Sequence, residues 1–303
     1  MLRNGAIWTD IDGNKIQAHG GMIMKYNGVW YWYGEHKGAP NCPGKERVDI
    51  IGISCYTSTD LLHWKYEGLA LEANRTDCTH PLHYTRVCER PKVIHCEKTG
   101  KFVLWCHLDD SAYYFASIGV AVSDSPTGPF VLKTVKRPNG HESRDMTIFK
   151  DDDYSAYLIY SKDGNRTLNV ARLTDDYEDL DGSCTSVLID QTREAPAVCK
   201  HDNEYYMVTS GCTGWNPNSA LYAKSSFITG PWNLIDNPCE GENYRNTFYG
   251  QSTYIFENHG QKYLMLDHWR PNDLMNSGYS ILPLRFDESR RMTVSWTDYF
   301  EGI

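Results

Sequence analysis

AHGGMIMKYNGVWYWYG, residues 18–34, is a phrase that the chain repeats four more times with a different polar residue at its head. The later copies are ERPKVIHCEKTGKFVLWC from Glu89, SRDMTIFKDDDYSAYLIY from Ser143, EAPAVCKHDNEYYMVTS from Glu194 and GQSTYIFENHGQKYLMLD from Gly250. Each runs from a polar entry through an apolar stretch to a turn of Asn, Gly, Asp, Lys or His, and then into an aromatic-rich stretch, which is a β-hairpin signature. The heads His19, Glu89, Asp145, Glu194 and Gln251 lie 70, 56, 49 and 57 residues apart. Four-stranded units recurring at about 40–50 residues are the mark of a β-propeller. The expected fold is therefore all-β, a five-bladed β-propeller. If each phrase opens the innermost strand of its blade, all five heads gather at one mouth of the central channel, and three of them are carboxylic acids.

The segments between the hairpins obey one grammar. A third strand, a small-residue turn and an aromatic or apolar closure follow each phrase, as in IIGISCYTSTDLLHW from Ile50 and NSALYAKSSFITGPW from Asn218. PTGPF at Pro126–Phe130 and TGPW at Thr229–Trp232 are near copies of one turn in blades two and four. No helical period competes. Three stretches interrupt the pattern, Glu35–Asp49, Leu71–Cys88 and Asn237–Tyr249, and loops of that length more often build functional rims than idle slack. The chain reads as a single domain over residues 1–303, with an N-terminal arm around Trp8–Ile16.

Composition narrows the chemistry. Thirty-nine acidic against 30 basic residues give a net charge of -9, which argues against nucleic acid as a partner. No apolar run reaches the roughly 18 residues of a membrane span and no apolar signal segment precedes Trp8, so no membrane partner and a cytoplasmic location are expected. The ten cysteines lack C-x-x-C pairs and several sit at apolar strand positions, so they are expected to be free thiols. Cys96 and Cys106 are the pair best placed to face each other across a hairpin. No Cys/His group has zinc-like spacing, and Asp151–Asp153 sits at a hairpin tip as a turn, so neither a metal nor a cofactor is expected. The sequons at Asn74 and Asn165 carry little weight without a secretion signal. Many of the 21 Tyr and 9 Trp serve blade packing, while a few are candidates to stack on sugar rings.

Glu89, Asp145 and Glu194 on consecutive blades suit glycoside hydrolysis. That reaction takes a carboxylic acid to protonate the leaving oxygen and, with inversion, a water activated on the opposite face of the sugar. A neighbouring carboxylate raises the pKa of the acid toward working pH. The bland alternative, polar groups that merely hydrogen-bond channel water, fits one acid better than three at equivalent seats.

With AHGG (Ala18–Gly21), YWYGE (Tyr31–Glu35), ERPKV (Glu89–Val93), SRDMT (Ser143–Thr147), REAPA (Arg193–Ala197), SGCTGWNPN (Ser210–Asn218) and GQST (Gly250–Thr253), the chain resembles glycoside hydrolase family 43 over essentially its whole length. Its nearest resemblance is to the exo-β-1,3-galactanase branch, here without the carbohydrate-binding module often appended there. The resemblance implies Glu194 as catalytic acid and Asp145 as the carboxylate that tunes and orients it. Most of the family keeps a general-base Asp at the blade-one head, where this chain has His19. The galactanase branch shares that departure and carries Glu and Gln at the Glu89 and Gln251 seats, placed for the −1 galactose and the attacking water.

A neutral amide has no useful basicity, so Gln251 is expected to position the water and Glu89 to bind substrate; Glu89 as the base is the alternative. His19, Glu35, Tyr113, Thr213 and Trp215 match sugar-contacting positions of the branch, and His19 is expected to shape the channel by hydrogen bonds. The implied partner is an oligo- or polysaccharide with β-1,3-linked galactose, and the implied activity is exo-acting and inverting. Two other readings stand beside it: another family 43 glycosidase, such as an α-L-arabinofuranosidase or β-xylosidase, and a non-catalytic sugar-binding propeller.

Overall fold

The computed structural model describes residues 1–302, and strands dominate it. Strand β1 (Leu2–Arg3) belongs to the arm. Blade one is β2 (His19–Tyr26), β3 (Val29–Glu35), β4 (Gly52–Ser58) and β5 (Lys65–Glu72). Blade two is β6 (Val87–His95), β7 (Phe102–Asp109), β8 (Ser117–Ser123) and β9 (Val131–Lys136), and blade three is β10 (Met146–Lys150), β11 (Ala156–Lys162), β12 (Thr167–Leu173) and β13 (Leu180–Val187). Blade four is β14 (Arg193–His201), β15 (Glu204–Gly211), β16 (Leu221–Ser225) and β17 (Asn233–Asp236). Blade five is β19 (Gln251–Asn258), β20 (Gln261–His268), β21 (Gly278–Phe286) and β22 (Met292–Ser295), to which β18 (Cys239–Glu240) adds in parallel. Every blade is an antiparallel meander in sequence order, and the innermost strands touch in a closed ring, β2 to β6, β10, β14, β19 and back to β2. The five expected hairpins are the inner pairs of the five blades.

Five separate apolar clusters hold the ring together, one in each gap between neighbouring blades. Strand alternation makes this possible: on β7, Leu104 and Cys106 face blade one while Val103 and Trp105 face blade three. Strands covered on both sides, such as β7 and β8, are buried at every position, whereas the outermost strand β13 is exposed along most of its length. The gap between blades five and one is the richest in tryptophan, with Trp8, Trp30, Trp32 and Trp64. Here the arm closes the ring. β1 pairs with β23 (Tyr299–Phe300), the Asn4 amide bridges Ile281 and Thr297, and the Trp8 ring lies edge-on to Trp32.

At the mouth opposite the site, lysines staple blade to blade. Lys150 of blade three meets Glu97 of blade two at 2.7 Å, and Lys200 of blade four meets Asp151 of blade three at 2.7 Å. Asp151 thus belongs to a turn that also accepts the Tyr205 hydroxyl, as the hairpin-tip reading expects. All ten cysteines are free thiols; Cys106 neighbours Cys88 rather than Cys96. The Asn237–Tyr249 stretch that leads into blade five contributes β18 and a short 3-10 segment, Tyr244–Tyr249. Among the described residues no helix is long and apolar enough to cross a membrane.

Candidate active site

The inner hairpins do not run straight into the channel mouth. In blades one, two and four the register slips just after the head, at His19/Met22, Glu89/Lys92 and Glu194/Ala197. The residue after each of those heads, Gly20, Arg90 or Ala195, has a positive φ of 58°, 53° or 52°. Such a bulge bends the strand and re-aims its side chain, and the two non-glycine residues bear a strained backbone conformation at the site. Glycine is required at position 20 for a second reason: a Cβ there would lie 2.0 Å from Glu35 Oε1.

Of the re-aimed heads, Glu89 and Glu194 line a cavity of about 340 Å³, together with Arg90, Asp145, Gln251, Glu35, Tyr113, Asn165, Trp215 and Trp269. Arg90 is its hub. Its guanidinium grips Asp145 with two nitrogens at 3.0 and 2.8 Å, donates to the Ser252 carbonyl, and donates to Gln251 Oε1 at 2.7 Å. Gln251 Oε1 also accepts from Trp269 Nε1 at 2.9 Å, while its Nε2 donates to Glu194 Oε1 at 3.2 Å and Ser210 Oγ at 3.0 Å. Because Arg90 and Trp269 are pure donors, the amide oxygen must face them, which fixes the amide orientation.

Glu194 is the electrostatic outlier. Burial pushes its carboxyl up, and the nearby Asp145 charge pushes it further, to about 8, against opposition from Arg90 and the Gln251 amide. It therefore keeps a proton at neutral pH. Asn165 Nδ2 lies 3.0 Å from Glu194 Oε2, while Asn165 Oδ1 is buried without a partner. Turning that amide over lets Oδ1 accept the proton of the acid, a freedom the Gln251 amide lacks. Asn165 of the sequon is thus part of the site.

Glu89 occupies the opposite electrostatic pole. Burial alone would raise its carboxyl, but Lys37, His107 at 3.6 Å and the Tyr113 hydroxyl at 3.0 Å outweigh it and hold Glu89 at about 2. Burial alone would likewise lower His107; its contacts to Asp109 at 3.0 Å and to Glu89 lift it to about 9. A carboxylate held this low is a firm hydrogen-bond acceptor and a feeble base. That arrangement favours substrate binding for Glu89 over proton abstraction from water.

The structure gathers Glu89, Asp145, Glu194, Gln251, Glu35, Tyr113 and Trp215 around one cavity. His19 is a correction. It is fully buried, 3.2 Å from Asp267 and stacked on Tyr279 at 4.6 Å, so it reaches no substrate and only shapes the channel wall. Asp267 holds its seat turned inward, because Oδ2 accepts the Gly20 N–H at 2.9 Å while Oδ1 faces His19 Nδ1. Thr213 stands at the rim, in the loop beside the cavity-lining Gly214 and Trp215. Its hydroxyl donates to the Asn216 carbonyl outside the cavity and braces the loop that carries Trp215. Gln251 meets its expectation only in part: it borders the acid, but its oxygen already accepts two donors, and a water can bind there only as a third donor or by displacing one of them.

Arg90, Lys37, His107, Asn165 and Trp269 escape a reading based on heads. Arg90 had a signal in its place directly after a head, and Trp269 in the polar cluster DHWRPN that ends the fifth phrase.

A propeller whose axial pocket sets a glutamic acid of raised pKa beside an aspartate gripped by an arginine is the framework of a glycoside hydrolase. The sequence profile of glycosyl hydrolases family 43 matches residues 21–251, and the chain belongs to that family. Among solved structures it is similar to a family 43 β-1,3-galactosidase seen with galactodeoxynojirimycin, at 38% identity over 99% of both chains and a TM-score of 0.94. It is also similar to an exo-β-1,3-galactanase from Phanerochaete chrysosporium seen with β-1,3-galactotriose, at 34% identity over 98% of this chain and 67% of that one, TM-score 0.90. A third is an exo-β-1,3-galactanase from Clostridium thermocellum, at 33% identity over 98% of this chain and 65% of that longer one, TM-score 0.87. Among curated proteins, none matches the chain by sequence.

Proposed function

We propose that the enzyme removes galactose from the non-reducing end of β-1,3-linked galactan with inversion of the anomeric centre. The observation that carries this reading is the buried Glu194 carboxyl, pushed up to about 8 in the axial pocket that it shares with the Arg90-gripped Asp145. Glu194 delivers its proton to the glycosidic oxygen as the bond to the anomeric carbon breaks. Asp145, gripped by Arg90, keeps the proton on Glu194 until then and orients it. Glu89 and Glu35 accept hydrogen bonds from the sugar hydroxyls, and Trp215 with Trp269, 4.9 Å apart at 68°, walls the pocket with aromatic surface. A water on the far face of the ring, held by Gln251 in exchange for one of its two donors, attacks the anomeric carbon; the proton it sheds leaves through solvent water, and solvent returns one to Glu194.

The choice of β-1,3-galactan over arabinofuranosides or xylosides draws on the similarity to the galactosidase and galactanases and on a blade-one head that is a buried His19 rather than a free Asp. Incubation with β-1,3-galactobiose, 4-nitrophenyl arabinofuranoside and 4-nitrophenyl xyloside tests it. Galactose released only from the first, appearing as the α-anomer in early proton NMR spectra, is the expected result. β-Galactose as first product refutes inversion, and cleavage of either pentoside in preference refutes the substrate.

A further inference from the structure

Lys37 is an ammonium in a place that normally excludes one. Its side chain is 8% exposed, and two residues before it stands Glu35, the last residue of β3. Glu35 lines the pocket and Lys37 does not; the Lys37 ammonium reaches the carboxylates from behind the pocket wall. Lys37 Nζ lies 2.6 Å from Glu35 Oε2 and 3.6 Å from Glu89 Oε1, joining carboxylates from two blades. The same ammonium sits 5.7 Å from the Trp215 ring and 6.0 Å from the Trp269 ring, at the limit of cation–π attraction. Glu35 also accepts the Arg90 backbone N–H at 2.9 Å, which fastens it to the bulge that follows Glu89.

We infer that Lys37 is a positioning residue for substrate recognition, holding Glu35 and Glu89 side by side as ionised acceptors for two hydroxyls of the bound sugar. This rests on the reading of the cavity as a sugar site. The charged and titratable groups facing the cluster are His107 with Asp109 behind it, the Tyr113 hydroxyl, the Arg90–Asp145 pair, Glu194 across the pocket, Arg144, which pairs with Glu142, and Lys92, whose ammonium donates to the Gly20 carbonyl. None of these replaces Lys37, because His107 reaches only Glu89 and the Arg90 side chain is spent on Asp145 and Gln251. Two buried carboxylates without a shared cation hold one proton between them. One oxygen then becomes a donor and faces a sugar hydroxyl with the wrong polarity. Burial already pushes Glu35 up, so the first proton settles there.

The test is Lys37→Met in the full chain, read in two ways. In protein labelled with 13C at the glutamate carboxyls, and with Glu89→Gln to assign the resonance, Glu89 of the wild type should stay ionised down to about 2. In Lys37→Met the Glu35–Glu89 pair should take up a proton at clearly higher pH. With β-1,3-galactobiose, KM should rise about 10- to 100-fold, the effect of losing a hydrogen bond to a charged group. Meanwhile kcat and its alkaline limb, which belong to Glu194, should stay within about threefold of wild type. Lys37→Arg should recover most of the KM. Lys37→Gln, which keeps donors without charge, serves if Met does not fold, and should shift the titration the same way. An unmoved carboxyl titration with an unchanged KM overturns the inference, as does a loss confined to kcat. If the wild type cleaves no galactoside, the galactanase reading fails, and the titration still decides whether Lys37 holds the two carboxylates.

Discussion

Replacing Asp145 with Asn should move the alkaline limb of the kcat–pH profile down by about 1–2 pH units, because a like charge at close range accounts for shifts of that order. Burial and Asp145 together carry Glu194 from its ordinary 4.5 to about 8, with burial the larger cause. Burial survives the substitution. The Asp145 charge does not, and Arg90, freed from its twin bond at 2.8 and 3.0 Å, presents an uncompensated positive charge to Glu194. Both changes favour ionised Glu194, so they add in sign. With the limb near pH 6.5 rather than 8, the protonated fraction of the acid at pH 8 falls about tenfold or more, while at pH 5 it hardly changes. The assay is kcat on β-1,3-galactobiose from pH 4 to 10. A uniform fall across that range reports only misplaced Arg90, so the position of the limb is the diagnostic quantity. A limb that stays near 8 would refute the tuning role of Asp145.

Gln251→Glu should move the same limb upward, since a carboxylate held by Arg90 and Trp269 places a second negative charge against Glu194; a downward move in the pH–rate profile contradicts the geometry. Gln251→Ala should lower kcat far more than it weakens ground-state binding, measured by inhibitor titration alongside kinetics. Glu194→Gln should remove about 10²–10⁴-fold of the rate on galactobiose and much less on a substrate with a good leaving group; equal losses point to binding instead. The same variant should gain thermal stability relative to wild type at pH 9 but not at pH 4. A carboxyl whose folded pKa lies above its unfolded value loses stability as pH rises from about 4.5 through about 8, and the amide has no proton to lose. Equal melting-temperature differences at both pH values would show that Glu194 is not elevated.

The five blades, their order and the identity of four pocket heads were legible in the chain itself. A phrase recurring at blade spacing is a local pattern, and strand alternation and turn chemistry are properties of neighbouring residues. The family was legible for the same reason, since seven short motifs keep their order. What the tertiary structure alone decided is which way each head looks and what charge it bears. His19 and Glu89 occupy equivalent places in their phrases, yet Asp267 from blade five draws His19 into the wall while Tyr113 and Lys37 face Glu89 into the pocket.

Arg90 becomes the hub only because a positive φ of 53° turns its side chain toward Asp145 and Gln251, partners 55 and 161 residues away. Glu89 and Glu194 carry the same side chain and line the same cavity, but one is held at about 2 and the other at about 8. Desolvation and Coulomb interaction depend on distances in space, and those distances are set across blades that come together only when the ring closes.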